Sequence, residues 1–191
     1  MRRIVIVHGH PDAGGNHFGD ALVQRYAECA EAAGHEVRQH RINELGLPVL
    51  ASAADWRGEP PAEVGEAQQA ILWADHIVFV YPLWMGDMPA LLKAWIEQVF
   101  RPGFAFNDPH QGIPEKLLRG RSARIVVTMG MPGWFYRLFY RAHSVRSFRR
   151  NVLRFTGIRP VRLSLVGLVE GSEKNRQRWL DRIQQLGTKG A

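Results

Sequence analysis

One cysteine, Cys29, is present in the 191 residues, which excludes an internal disulfide and fits a reducing compartment. Long apolar runs are also missing. The first, Ile4-Val5-Ile6-Val7, stops at His8-Gly9-His10-Pro11, too short for a secretory leader or a membrane span, so the expected location is cytoplasmic. Acidic residues are sparse, 18 against 25 Lys and Arg, and none falls between Glu115 and Glu170. That interval holds Arg137, Arg141, Arg146, Arg149, Arg150, Arg154, Arg159 and Arg162. Such a basic stretch draws nucleic acid, an acidic membrane surface or a phosphorylated small molecule, or is a solvated helix face. No helix-turn-helix or other nucleic-acid motif accompanies the arginines, so nucleic acid is disfavoured. There is no G-x-G-x-x-G for a dinucleotide turn. His8, His10 and His17 have no suitably spaced acids or thiols, so no metal site is expected.

What the chain does have is one domain's worth of apolar residues, 46% of the composition, and the expected organisation is a single domain over 1–191. The β-branched run Ile4–Val7 predicts a central parallel strand covered on both faces. Apolar residues at helical spacing from Phe18 predict a helix ending near Gly34, followed by a second strand over 36–42. Residues 43–66 read as loop, in which Trp56 is either a lid or local packing. A helix over 65–74 feeds a third strand at 76–80, and another helix starts at Pro89. Further strands are predicted at 124–129 and 159–166, with mostly helix over 134–155 between them, and Ser172 caps a last helix through Leu186. Alternating strands and helices imply an α/β three-layer sandwich, here the flavodoxin-like five-stranded parallel sheet of order 2-1-3-4-5.

That order sets the loops after strands one and three side by side at the switch point, where ligands of such sheets bind. The loop after strand three, Tyr81-Pro82-Leu83-Trp84-Met85-Gly86-Asp87-Met88-Pro89, is aromatic and bracketed by prolines, suited to a planar cofactor with its free amides aimed at the ligand. The loop after strand one, His10 to Phe18, carries Gly14, Gly15 and Asn16 into a helix start, suited to an anion. Asn16 is placed either to cap that helix or to donate to a phosphate. After strand four, Thr128-Met129-Gly130-Met131 leads to Tyr136 and His143, donors for a ring edge or a quinone oxygen; alternatively Phe135, Leu138, Phe139 and Tyr140 are a helix's packing face and His143 is incidental. The helix after Pro89 shows a broad apolar stripe, Leu91, Leu92, Trp95, Ile96, Val99 and Phe100, part of which is expected to meet a second subunit, while Lys93 and Glu97 form a surface pair.

Together the segments Ala74–Trp84, Pro89–Phe100 and Gly103–Phe106, with His10-Pro11-Asp12 and Phe18, resemble the flavodoxin-fold NAD(P)H:quinone oxidoreductase family. That family includes DT-diaphorase, modulators of drug activity and the ancillary subunits of potassium-efflux systems. The resemblance implies a flavoprotein, with FMN or FAD undecided, that passes a hydride from NAD(P)H through flavin to a quinone-like acceptor by a ping-pong mechanism. It implies that Pro82, Leu83, Trp84 and Met85 hold the flavin ring, that His10, Asn16 and Phe18 hold its phosphate and ribityl end, and that Thr128 and Gly130 face the ring's polar edge. Tyr136 and His143 are the implied catalytic donors, and a homodimer is the implied assembly. The alternative is a flavin-binding regulatory subunit of an ion-efflux system, with a channel or peripheral membrane partner held through the basic residues 137–162.

Overall fold

A computed structural model describes residues 1–44, 46–107 and 115–191. Five strands, β1 (Arg3–His8), β2 (Glu36–Arg41), β3 (His76–Pro82), β4 (Ser122–Thr128) and β5 (Val161–Val166), pair in parallel in the order 2-1-3-4-5. The predicted order and the unbroken apolar runs of its central strands are both present. Side chains alternate across the sheet, so each central strand feeds two cores. Ile4, Ile6, Val78, Val80 and Val126 face α1 (Phe18–Ala32) and α7 (Glu173–Thr188). Val5, Val7, Ile77, Phe79, Ile125 and Val127 face α3 (Ala62–Trp73), α4 (Ala90–Val99) and the β4–β5 crossover.

Two features of the chain's middle differ from expectation. Residues 43–66 contain α2 (Ala53–Arg57), capped by the Ser52 side chain accepting from the Asp55 amide, and α3 starts at Ala62, directly after Pro61. A proline needs no amide donor at a helix start, so Pro60-Pro61 marks where α3 begins. This segment also covers α4. Gln98 Nε2 donates to Pro48 O at 2.7 Å, and Arg101 Nη1 donates to Asp55 O and Gly58 O. Trp56 packs near Phe106, ring centroids 6.2 Å apart, which settles it as local packing. Leu92, Trp95, Ile96, Val99 and Phe100 are therefore buried within one chain, and the breadth of the α4 stripe is explained without a second subunit. Lys93 and Glu97 do pair on its outer face.

The crossover from β4 to β5 is broken rather than continuous. It comprises α5 (Gly133–Leu138), α6 (His143–Ser147) and a π-helical turn over Phe148–Leu153, with Arg141 and Ala142 at φ of 53° and 48° interrupting the helical path. Left-handed backbone at two residues carrying a Cβ is costly, and it is held here by the burial of Ala142, Val145 and Phe148.

On the opposite face α7 crosses α1 at Gly187. A Cβ built there would lie 2.5 Å from Tyr26 O and 3.2 Å from Tyr26 Cα, both backbone atoms that cannot turn aside. Gly187→Ala gains about 1 kcal/mol of helix propensity, but lifting α7 from α1 costs more. The expected net loss is about 1–2 kcal/mol, read as a lower urea midpoint with an unchanged slope.

Candidate functional site

The three loops singled out above meet at the carboxyl ends of β1, β3 and β4. They are tied together by backbone hydrogen bonds that extend the sheet ladder past its last residues. Gly9 N donates to Val80 O at 2.8 Å, and Leu83 N donates to Thr128 O at 2.8 Å. Gly9 is needed for this approach, because a Cβ there would lie 2.8 Å from Leu92 Cδ2 and 3.0 Å from Tyr81 Cβ. The ring of His10 meets Trp84 edge-on at 5.7 Å, joining the first loop to the second.

In the first loop, the N-cap of α1 is His17 rather than Asn16, which instead takes a left-handed turn with Gly15, both at φ 69°. His17 stacks on His10 with centroids 3.8 Å apart, and its Nε2 lies 2.7 Å from Asp12 Oδ2. Asp12 Oδ1 accepts from Gly14 N, while Asn43 Nδ2 holds Asp12 O. The Gly14 amide, then His17, keep the Asp12 carboxyl below its ordinary pKa. Burial, then the neighbouring His17, pushes His10 down. Beneath the loop lies His8, enclosed with no hydrogen-bond partner on either ring nitrogen and lowered to about 4 by burial, its Nε2 3.5 Å from Asp20 Oδ1. Asp20 is already engaged, with Oδ2 accepting the His17 amide and Oδ1 facing Arg41 Nη1 at 3.4 Å. The amides of Gly15, Asn16, Phe18 and Gly19 have no partner among the described residues. Free amides at the positive end of a 15-residue helix, beside acids held by other groups, fit a phosphate.

The second loop is a tight hairpin. Trp84 and Asp87 exchange both backbone hydrogen bonds, 2.8 and 2.9 Å, around Met85 and Gly86 at φ 48° and 82°. Both central residues are left-handed, the signature of a type I′ turn. This corrects the expectation that the amides from Leu83 to Met88 are free. Leu83, Trp84, Asp87 and Met88 all donate within the loop or to Thr128, which leaves those of Met85 and Gly86. The turn pushes Trp84 out to 48% exposure and Met85 fully into solvent, while Pro82 and Leu83 stay half-buried.

In the third loop Thr128 is buried at the end of β4, and Gly130 is exposed with no heavy atom within 4 Å of a built Cβ. That open face, the projecting Trp84 and the phosphate-suited turn fit a flavin. The two implied donors do not join this group. Tyr136 is enclosed in the core at 1% exposure, its hydroxyl 2.8 Å from Ser144 Oγ, so it has no path to a substrate in solvent. The packing-face alternative is corrected as well, because Leu138, Phe139 and Tyr140 are exposed and Tyr136 is the residue that α5 buries. His143 is exposed at the start of α6, with no side-chain partner among the described residues. Sequence reasoning passed over the His10–His17 stack, the Asp12–His17 contact and the tie from Asn43. The one available signal was three histidines and two aspartates within thirteen residues, and their alternation does not reveal which pairs touch.

The chain matches, over residues 2–186, the protein family described as having a flavodoxin-like fold. It is 27% identical over 168 residues to an uncharacterised NAD(P)H oxidoreductase of Haemophilus influenzae, covering 85% of this chain and 82% of that one. With an FMN-dependent NADH:quinone oxidoreductase of Bordetella petrii it shares 35% identity over 132 residues, 64% of this chain and 59% of the relative. Among solved structures, the NAD(P)H:quinone oxidoreductase of Methanothermobacter marburgensis superposes with a TM-score of 0.82 at 22% identity, over 100% of this chain and 99% of the other. A matched span of nearly the whole chain, the sheet order 2-1-3-4-5 and the loops gathered at its switch point agree, and the chain belongs to the flavodoxin-like-fold family of that description.

Proposed function

We propose that this protein is an FMN-dependent NAD(P)H:quinone oxidoreductase. The observation that carries the reading is the convergence of three loops on one open face. A half-exposed Trp84, the open side of Gly130 and the unpartnered amides before α1 share the carboxyl edge of β1, β3 and β4. FMN is favoured by the name of the Bordetella petrii relative, and the oxidoreductase names of the relatives above give no support to an ion-efflux regulatory subunit.

Bound flavin would supply the two-electron chemistry between NAD(P)H and the acceptor. The residues here bind and orient. The amides of Gly15, Asn16, Phe18 and Gly19 would take the phosphate, with His10 and the half-buried Phe18 walling the ribityl end. Pro82, Leu83 and the turn at Met85-Gly86 would hold the ring, with the two free amides of that turn as hydrogen-bond donors. Thr128 and Gly130 would stand at its other edge. Trp84 gives a planar apolar wall against which nicotinamide and quinone would be held in turn. Of the two expected donors, His143 alone is open to solvent, and its role is proposed only as a proton source at the outer rim.

The protein incubated with FMN is expected to retain it through gel filtration and to oxidise NADH or NADPH when given a water-soluble quinone. Trp84→Ala should weaken FMN and raise the quinone KM by about ten-fold, roughly 1.4 kcal/mol of lost stacking and contact. No FMN retention at micromolar concentration, with no quinone-dependent oxidation, would sink the reading.

A further inference from the structure

Away from these loops, the overhang of the β4–β5 crossover and α7 around the outer edge of β5 leaves a cavity of about 1090 Å³. Arg137, Arg141, Arg146 and Arg149 enter it from the crossover, Arg162 from β5 and Arg182 from α7, and no Asp or Glu among the described residues lines it. None of these six forms an ion pair among the described residues. Arg149 Nε is enclosed without a hydrogen-bond partner. A seventh, Arg124, is already held at the floor by Ser164 Oγ and Ala191 O. Six guanidinium groups gathered at one concave edge repel one another, and that cost is offset when several negative groups arrive together.

The rim of the cavity is apolar along α5 and just past it. Trp134 is 66% exposed, Leu138 70% and Phe139 70%, with Tyr140 beside them. Phe135 and Phe139 stack on each other at 5.0 Å and 6°, so the rings form a ridge rather than separate platforms. Trp134 and Leu138 belong to both ridge and cavity wall, making one continuous face with aromatic and aliphatic tips beside unpaired arginines. We infer that this face docks on an anionic lipid bilayer, the arginines taking headgroup phosphates and the Trp134–Tyr140 ridge entering the interfacial zone.

Charge complementarity selects this occupant over the alternatives. A second copy docked symmetrically through the same face would set unpaired arginines against unpaired arginines. A nucleic acid would satisfy the arginines, but Phe135 and Phe139 stack on each other while Trp134 and Tyr140 meet them edge-on, so the ridge offers no row of parallel ring faces on which successive bases could stack. An anionic bilayer meets both halves: it offers many phosphates in a plane and an apolar layer below them. The inference stands apart from the reductase reading, because vesicle partition is measured with no nucleotide present.

Cosedimentation with vesicles of phosphatidylcholine alone, and of phosphatidylcholine mixed with phosphatidylglycerol, tests it. Partition onto the anionic vesicles should be at least about ten-fold stronger and should weaken as salt is added. Leu138→Ser with Phe139→Ser should lower anionic partition by about ten-fold while flavin retention stays at the wild-type level. Arg141→Gln with Arg146→Gln should lower it by roughly five-fold per arginine. The inference is overturned if both vesicle types bind alike, if the ridge variant binds as the wild type does, or if tripolyphosphate or a single-stranded oligonucleotide binds while anionic vesicles do not.

Discussion

Gly130→Leu is expected to cut FMN affinity by roughly a hundred-fold, about 2.7 kcal/mol, while leaving the melting temperature of the flavin-free protein unchanged or slightly raised. Gly130 has no left-handed φ, and a Cβ built on it meets nothing within 4 Å, so the substitution strains no backbone and overlaps no neighbour. Replacing glycine at such a position restricts the unfolded chain more than the folded one, an effect of a few tenths to about 1 kcal/mol in favour of folding. The same open space is where the proposed ring edge would lie, and a leucine side chain there competes for its volume. Gly65 in α3 is a matched control, since it too has nothing within 4 Å of a built Cβ and lies far from the loops in sequence and element. Titration of FMN fluorescence reads the difference: Gly65→Leu should bind as the wild type does and Gly130→Leu should not. Equal FMN binding by the two variants would place the flavin elsewhere.

The fold was legible because its strongest signals are local. The run Ile4–Val7 and the stretch Ile77–Tyr81 are apolar on both faces, and only a sheet covered by helices on each side buries such strands. The three loops stand out by composition, and the sheet order alone brings them together. What escaped depends on contacts between segments distant in sequence. The α4 stripe is wider than packing on one sheet face requires, and nothing local shows that residues 47–58 lie over it, an arrangement fixed by Gln98 and Arg101 reaching carbonyls some forty to fifty residues back. The break at Arg141-Ala142 has neither Gly nor Pro to announce it, so residues 134–155 read as mostly helix with no interruption placed. Within α5, six residues are too few for periodicity to separate the inward Tyr136 from the outward Trp134 and Leu138, so the packing face expected of Leu138, Phe139 and Tyr140 falls on Tyr136 instead, whose hydroxyl the family resemblance makes a catalytic donor. In the hairpin at Trp84, Met85-Gly86 lacks the usual Asn or Asp at its first position, which hid a turn that consumes amides otherwise free for a ligand.

Acid should destabilise this protein well before its carboxylates titrate, and two buried histidines set the window. His76 opens β3 with its ring enclosed. Nδ1 shares a 2.8 Å hydrogen bond with Ser122 Oγ, Nε2 has no partner, and burial, reinforced by Arg124, pushes the ring down to about 3. His8 is lowered to about 4 by burial as well. Both titrate near 6.5 in the unfolded chain, so below that pH the unfolded state binds more protons than the folded one and stability falls as pH falls. Each histidine contributes a slope of about 1.4 kcal/mol per pH unit, continuing to about pH 4 for His8 and pH 3 for His76. Between pH 7.5 and 5 the pair should remove about 4 kcal/mol of stability, and His10 and His40, also lowered by burial, act in the same direction. Asp12, Asp55 and Asp75 are held below their ordinary 3.8, so their contribution is lost only at lower pH and leaves this window to the histidines. His76→Val fits the strand and leaves the Ser122 hydroxyl able to donate to Asp75 O, which it already approaches at 3.4 Å. Urea unfolding at the two pH values should show the variant losing about 2 kcal/mol less than the wild type on acidification. An equal loss in both proteins would mean that His76 is protonated in the folded state, and its enclosure as a neutral ring would have to be abandoned.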